Sequence, residues 1–289
     1  MSEGATGVTG ADSPTVRRRE LGALLRALRI EAGMTVEQVA DRLLVSSSKI
    51  SRLETGRRGA NARDIRDLCD IYGVTDAARE HLMELAHEGR DQAWWQPYDL
   101  PYRTYVGLEA AATAISDFEP GVFPGLLQTP EYARAVHEGA LPRLSPEVIE
   151  QRIEVRRTRQ RILSRDNPPR LSAIVDEAVL HRAIGGPQVM ARQLAHVIEA
   201  VQRANITVQV IPYSIGAHPA LDSTFILLEF VAPVPSVVYV EGLVGQIYLE
   251  RQQDVDRYKR IFSHLAATAM SLPESLDVMA KARMSFADV

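Results

Sequence analysis

Apolar residues in the first third of the chain recur with helical spacing. Leu21, Leu24, Leu25 and Leu28 fall at i, i+3, i+4 and i+7, and Val36, Val39, Ala40 and Leu43 repeat that interval. Ile50 with Leu53 marks a third amphipathic segment, Ile65, Leu68, Cys69 and Tyr72 a fourth, and Leu82, Leu85 and Ala86 a fifth. Polar residues agree with these limits. Thr35 and Gln38 have capping-box spacing, Ser46 and Asn61 stand at N-cap positions, and Gly33, Gly56 and Gly73 punctuate helix ends. The pattern predicts an all-α head of five helices over 17–90, preceded by a disordered tail at 1–16 that lacks any apolar period.

The pattern then changes. Trp94, Trp95, Tyr98, Tyr102 and Tyr105 crowd into 91–106 together with Pro97 and Pro101. This reads as a linker that docks on the following domain. Beyond it, Pro130 after Thr129 and Pro146 after Ser145 favour helix starts. Short β-rich runs follow at 171–176, 206–211, 224–230 and 236–241. Met190, Leu194, Val197, Ile198 and Val201 mark a helix between the first two runs. Val255, Tyr258, Phe262, Leu265 and Ala269 mark a terminal helix, whose apolar face is a candidate dimer seam. The expected fold class is therefore an all-α head followed by a mixed α/β domain over 107–289.

Composition narrows the classes. Hydrophobic residues are 46% and charged residues 24%, a globular balance that excludes wholesale disorder. The most apolar stretch, 224–240, is interrupted by Glu229, Pro233 and Pro235, so no membrane span is expected. No signal-peptide pattern opens the chain. The single cysteine, Cys69, excludes an internal disulfide and a four-cysteine zinc site, and it shares an apolar face with Ile65, Leu68 and Tyr72. A reducing, cytoplasmic setting is expected. Net charge is −4, but it is unevenly spread. Residues 17–63 hold 11 Lys and Arg against 5 Asp and Glu, whereas 64–289 hold 22 against 30. A basic block on an acidic chain points to a polyanionic partner.

The segment 35–56, TVEQVADRLLVSSSKISRLETG, has the requirements of a helix-turn-helix. Ala40 is small where two helices must touch. Leu44, Val45 and Ser46 supply a tight turn. Ile50 and Leu53 give the second helix an apolar side, and Ser47, Ser48, Lys49, Ser51 and Arg52 give it a polar one. The whole head, and the run KISRLETGRR above all, resembles the lambda-repressor-like (XRE) helix-turn-helix family. The resemblance implies that Ser47, Ser48 and Arg52 reach base edges of a double-stranded DNA operator, with Lys49 and Ser51 as weaker candidates. Arg52 suits bidentate contact with guanine. Arg57 and Arg58 suit phosphates, and Arg17, Arg18 and Arg19 are candidates for the backbone or a minor groove. Glu54 is expected to pair internally, since phosphates repel it. Related folds place two heads about one helical turn, roughly 34 Å, apart, so a homodimer on a two-fold site is expected.

Spacing says less about the second domain. Asp176, Glu177, His181, His218 and Glu241 are residue types that bind metals or transfer protons, but they lack a known ligand spacing. No P-loop, GxSxG, HExxH or GxGxxG is present, and neither a cofactor nor a metal is expected. Six arginines in 151–165 (Arg152, Arg156, Arg157, Arg159, Arg161 and Arg165), offset by Glu154, suit a second DNA contact or a solvated interface face. The ordered motifs WWQPYDLPYRTYVGLEAAA, FPGLLQTPEYARAV, RRTRQRIL, VDEAVLHRAIGG, VQVIPYSIGAHPAL, FILLEF and YVEG resemble an uncharacterised domain. It follows a helix-turn-helix in many actinobacterial, antitoxin-like or developmental regulators. The resemblance implies a transcriptional regulator whose second domain binds a small protein encoded by a neighbouring gene, or a small molecule. The five clustered aromatics are the expected receiving surface. A DNA-guided nuclease or hydrolase is the rival reading, and the expectation is that the chain is not an enzyme.

Overall fold

Helix α1 (Pro14–Glu31) opens a computed structural model that describes residues 13–287. Pro14 occupies the first helical turn, where its missing N–H costs nothing. Residues 13–16, expected in the tail, are instead ordered and buried. The Ser13 hydroxyl donates to Gly107 O at 2.6 Å, and Val16 packs inside. The rest of the expected tail, 1–12, lies outside the described residues.

The chain divides into two units. One runs to Ala112 and includes Phe230–Pro235; the other comprises Thr113–Glu229 and Ser236 onward. In the first unit α1 is followed by α2 (Val36–Arg42), α3 (Ser47–Glu54), α4 (Ala62–Tyr72) and α5 (Asp76–Glu88), the five expected helices. Thr35–Gln38 and Asn61–Asp64 both form complete capping boxes. Leu21, Leu25, Val39, Ala40, Ile50, Leu53, Ile65, Leu68, Cys69 and Leu85 meet in one core.

A sixth helix, α6 (Arg103–Ala111), also belongs to this unit and packs against α1. The aromatic segment expected as a linker is thus folded into the head. The contact depends on Gly107: a side-chain carbon there would lie 2.3 Å from Thr15 Oγ1 and 3.0 Å from the Trp95 ring.

The second unit is built on a six-stranded mixed sheet. Its strands are β1 (Ala114–Glu119), β2 (Arg170–Asp176), β3 (Ile206–Ile211), β4 (Phe225–Glu229), β5 (Val237–Gly242) and β6 (Gly245–Leu249), in the order β3-β2-β1-β4-β5-β6. The β1–β2–β3 half is parallel and the β4–β5–β6 half antiparallel. Helices α7 (Pro130–Glu138) and α8 (Pro146–Gln160) join β1 to β2, and α9 (Ala178–His181) and α10 (Pro187–Ala200) join β2 to β3. Helices α11 (Gln252–Thr268) and α12 (Leu272–Ala287) end the described chain. Strands β1 and β6 carry no strong β-rich run and escape sequence reading. Neighbouring strands stabilise them instead: Phe118 is fully buried, and Tyr248 pairs with Tyr239.

Helix α11 uses its apolar face inside its own unit. Val255 and Leu265 are buried with Phe118, Phe225, Leu227 and Val238, and Tyr258 and Phe262 pack on them. The candidate dimer seam is therefore consumed by the sheet. The FPGLLQT run also has a structural reason. Its backbone is buried, so side chains satisfy it. Gln193 accepts from Thr129 N–H and donates to Leu127 O, both at 2.7 Å, while Gln128 donates to Phe123 O at 2.6 Å. Gln160 donates to Gln128 O at 2.7 Å, and Arg156 donates to the Gln128 side chain.

Candidate nucleic-acid interface

Helix α3 is short because both ends are fixed. The Ser46 hydroxyl accepts from Lys49 N–H at 3.2 Å, and Gly56, at φ +65°, ends the helix in a left-handed turn. Ile50 and Leu53 are buried, whereas Ser48, Ser51 and Arg52 are exposed and Ser47 is half-buried. The polar side expected from the sequence is therefore an open one. Arg52 Nε donates back to Ser48 O at 3.1 Å, which lays its side chain along the exposed face.

Three contacts hold this face rigidly. Gly22 on α1 abuts the last turn of α3, where a side-chain carbon would lie 2.6 Å from Leu53 O. Arg29 grips Glu54 through two hydrogen bonds, Nε to Oε1 at 2.6 Å and Nη2 to Oε2 at 2.9 Å. The Glu54 hydrogen bond raises the Arg29 pKa above its ordinary value. Lys49 pairs with Asp64 at 2.6 Å, and that same carboxylate caps Asn61 N–H at the start of α4. Lys49 is thus engaged in the α3–α4 contact.

The other candidates separate by position. Arg57 and Arg58 are exposed just after α3, and Arg58 N–H donates to Arg52 O at 3.0 Å. The Arg17–Arg18–Arg19 triplet serves the head itself. Arg17 pairs with Glu20 at 2.9 Å and with Glu88 at 2.7 Å. Arg18 donates to Pro14 O at 3.2 Å, and burial lowers its pKa. Arg19 is 6% exposed and packs where Gly56 leaves room. Because α1 starts at Pro14, before them, these three lie on the helix body rather than on an extended arm.

Sequence reading missed one feature of the turn. Leu44 adopts φ +55° and is 92% exposed. Glycine normally signals such a left-handed position, so a leucine there left no cue. Cys69 is fully buried, and burial raises its thiol pKa, as its place on an apolar helix face implies.

The aromatic cluster divides. Trp95 and Tyr105 are each 4% exposed, and the Tyr105 hydroxyl donates to Glu109 at 2.5 Å. Trp94 stacks edge-on against Trp95 and Tyr98, at 5.6 and 6.2 Å between centroids. Trp94, Tyr98 and Tyr102 are half-buried. The Trp95 and Tyr105 rings are buried, so of the five only Trp94, Tyr98 and Tyr102 present ring surface to solvent.

In the second unit, the acid and histidine set meets in two pairs, His218 Nε2 lying 4.0 Å from Asp176 Oδ2 and His181 beside Glu177, while Glu241 stands apart. Asp176 accepts from Ala178 N–H at 2.8 Å and Glu177 from Tyr213 N–H at 2.7 Å. His181 lies 3.6 Å from Glu177, and His218 Nδ1 accepts from Ala220 N–H at 3.4 Å. Glu241 is exposed near the end of β5. Among the described residues no three His, Cys, Asp or Glu side chains cluster to hold a metal. Of the arginine run, Arg156 serves Gln128 and Arg159 is buried, so the run does not present one DNA-facing stripe. No described helix is long and apolar enough to cross a membrane.

Comparison with known proteins agrees with this division. The family model of a helix-turn-helix domain matches residues 20–82. A second family model, the domain of unknown function DUF5753, matches residues 102–281, well over half the chain. No curated protein and no solved structure matches. The second family's match begins ahead of the structural division at Ala112, so α6 is shared between them. With a helix-turn-helix domain followed by this longer match, the chain belongs to the DUF5753 family.

Proposed function

We propose that this protein is an XRE-type transcriptional regulator of the kind found in actinobacteria. It reads a double-stranded DNA operator through α3, and its second unit receives a signal. The observation that carries this reading is the division of α3. Ile50 and Leu53 are sealed in the core, while Ser48, Ser51 and Arg52 stand open beside Arg57 and Arg58. The Arg29–Glu54 and Lys49–Asp64 pairs anchor this helix to its neighbours, which holds its polar side in one orientation. In this reading the heads work as a homodimer on a two-fold site. The second unit takes a small protein encoded by a neighbouring gene or a small molecule, and no step is enzymatic.

The test is operator selection from random duplexes, followed by anisotropy titration. Arg52→Ala is expected to weaken selected-site binding by about 1–3 kcal/mol while sparing non-specific binding. Equal affinity of wild type and variant for the selected site would overturn the assignment of α3.

A further inference from the structure

A cavity of about 450 Å³ opens in the second unit where β1 and β5 end and β4 begins. The sheet register explains its shape. Asp117, Ile226 and Tyr239 stand in one row across β1, β4 and β5. One step further, Glu119 and Glu241 stand on the same face, with Thr224 between them just ahead of β4. A short side chain between two long acids makes a notch. The Thr224 hydroxyl lies 3.0 Å from Glu119 Oε2. Tyr239 closes the floor and is buried, Val122 lines one wall, and Leu243, fully exposed at the β5–β6 turn, forms the rim.

We propose that this cavity is a binding site for a small organic cation, a protonated amine or guanidinium on an apolar stem. The charged head sits in the notch between Glu119 and Glu241, and the stem lies against Val122, Ile226 and Leu243. Two observations support the sign of the charge. Neither acid makes an ion pair among the described residues. Burial and the facing Glu241 push the Glu119 carboxyl up to about 7, although Arg156 on α8 opposes the shift and Thr224 donates to it. Arg156 also donates to Gln128, and its positive charge offsets the two acids only in part, since the Glu119 carboxyl stays raised. The volume and the mixed apolar and polar lining suit a ligand of modest size, since small-molecule pockets run about 300–1,000 Å³.

The inference deepens the reading of the second unit as a receiver and rests on it for its regulatory meaning. Binding itself is testable without DNA. The full chain is titrated calorimetrically with phenethylamine, with phenethyl alcohol and 3-phenylpropionate as neutral and anionic controls. Only the amine should bind. Glu119→Gln and Glu241→Gln should each weaken it at least tenfold, and Thr224→Leu, which fills the notch, should abolish it. Glu241 is exposed, so its variant guards against loss of fold. Because a carboxyl near its pKa is half protonated, amine binding at pH 7 should release about half a proton, read from buffers of different ionisation heat. No amine binding, equal binding of the controls, or indifference to both glutamate variants overturns the site. Amine binding that leaves operator affinity unchanged keeps the site and overturns the receiver reading.

Discussion

Arg29 on α1 and Glu54 at the end of α3 face each other as a two-pronged ion pair, with both hydrogen bonds under 3 Å and both side chains largely out of water. Arg29 also donates to Met34 O at 2.8 Å. The pair therefore ties the start of the helix-turn-helix to the end of its exposed helix. Removing one partner of a shielded pair leaves the other charge uncompensated, at a cost of about 3–5 kcal/mol. Glu54→Ala should destabilise the head by about that amount, whereas the double variant R29M/E54L should stay near wild type. Thermal melts followed by tryptophan emission, which reports the first unit, check this. A single variant within about 0.5 kcal/mol of wild type would show the pair to be decorative.

Lys49 and Arg58 should separate in their salt response. Lys49 is engaged by Asp64, so Lys49→Met should lower head stability without altering how steeply DNA affinity falls with salt. Arg58 is exposed past α3, and Arg58→Ala should flatten that slope by about 0.9, the value for one phosphate contact. Anisotropy titrations across a salt series decide it. A flatter slope for the lysine variant would place Lys49 in the DNA-facing set.

The contrast shows what the sequence carried. Caps and apolar spacing are local, so all five helices of the head, the Thr35 and Asn61 boxes and the buried Cys69 were legible in it. The fate of a charge is not local. Nothing in the RRR run says that Arg17 meets Glu88, which lies more than seventy positions away, or that Arg19 fills the space beside Gly56. The cavity was invisible for the same reason. Glu241 was noticed as an isolated acid and Glu119 was not, because strand register alone sets them on one face with Thr224 between.

Leu44 offers a test of the turn. A non-glycine residue in the left-handed region costs roughly 1–2 kcal/mol. With its side chain exposed, Leu44 gains little packing in return. Leu44→Gly should therefore raise head stability by roughly 1 kcal/mol, less the added freedom glycine gives the unfolded chain. Urea midpoints measure this. A loss of stability would mean that the exposed leucine makes contacts that its exposure conceals.

Trp95 distinguishes core from receiving surface. With its ring buried against the Gly107 approach, Trp95→Ala should cost about 3–5 kcal/mol, as for other buried large rings. The conservative Trp95→Phe should cost far less and leave operator binding intact. If Trp95→Ala melts like wild type yet loses a response to a partner protein, the ring belongs to a receiving surface after all.

The pH dependence of the second unit follows from Glu119. Its folded carboxyl is pushed up to about 7 by burial and by Glu241, while an unfolded one titrates near 4.5. The folded chain therefore holds a proton that the unfolded chain releases between those values. This stabilisation is fully present below about pH 4.5 and is lost as pH rises through about 7, a change on the order of 3 kcal/mol. Glu119→Gln keeps the neutral form at every pH, so it should flatten the dependence and exceed wild type in stability at pH 8. Both tryptophans belong to the first unit, so hydrogen exchange of β1 and β2 amides is the appropriate probe. Exchange free energies should fall from pH 5 to pH 8 in wild type relative to Glu119→Gln. Parallel profiles for the two proteins would mean that the carboxyl is as well solvated folded as unfolded.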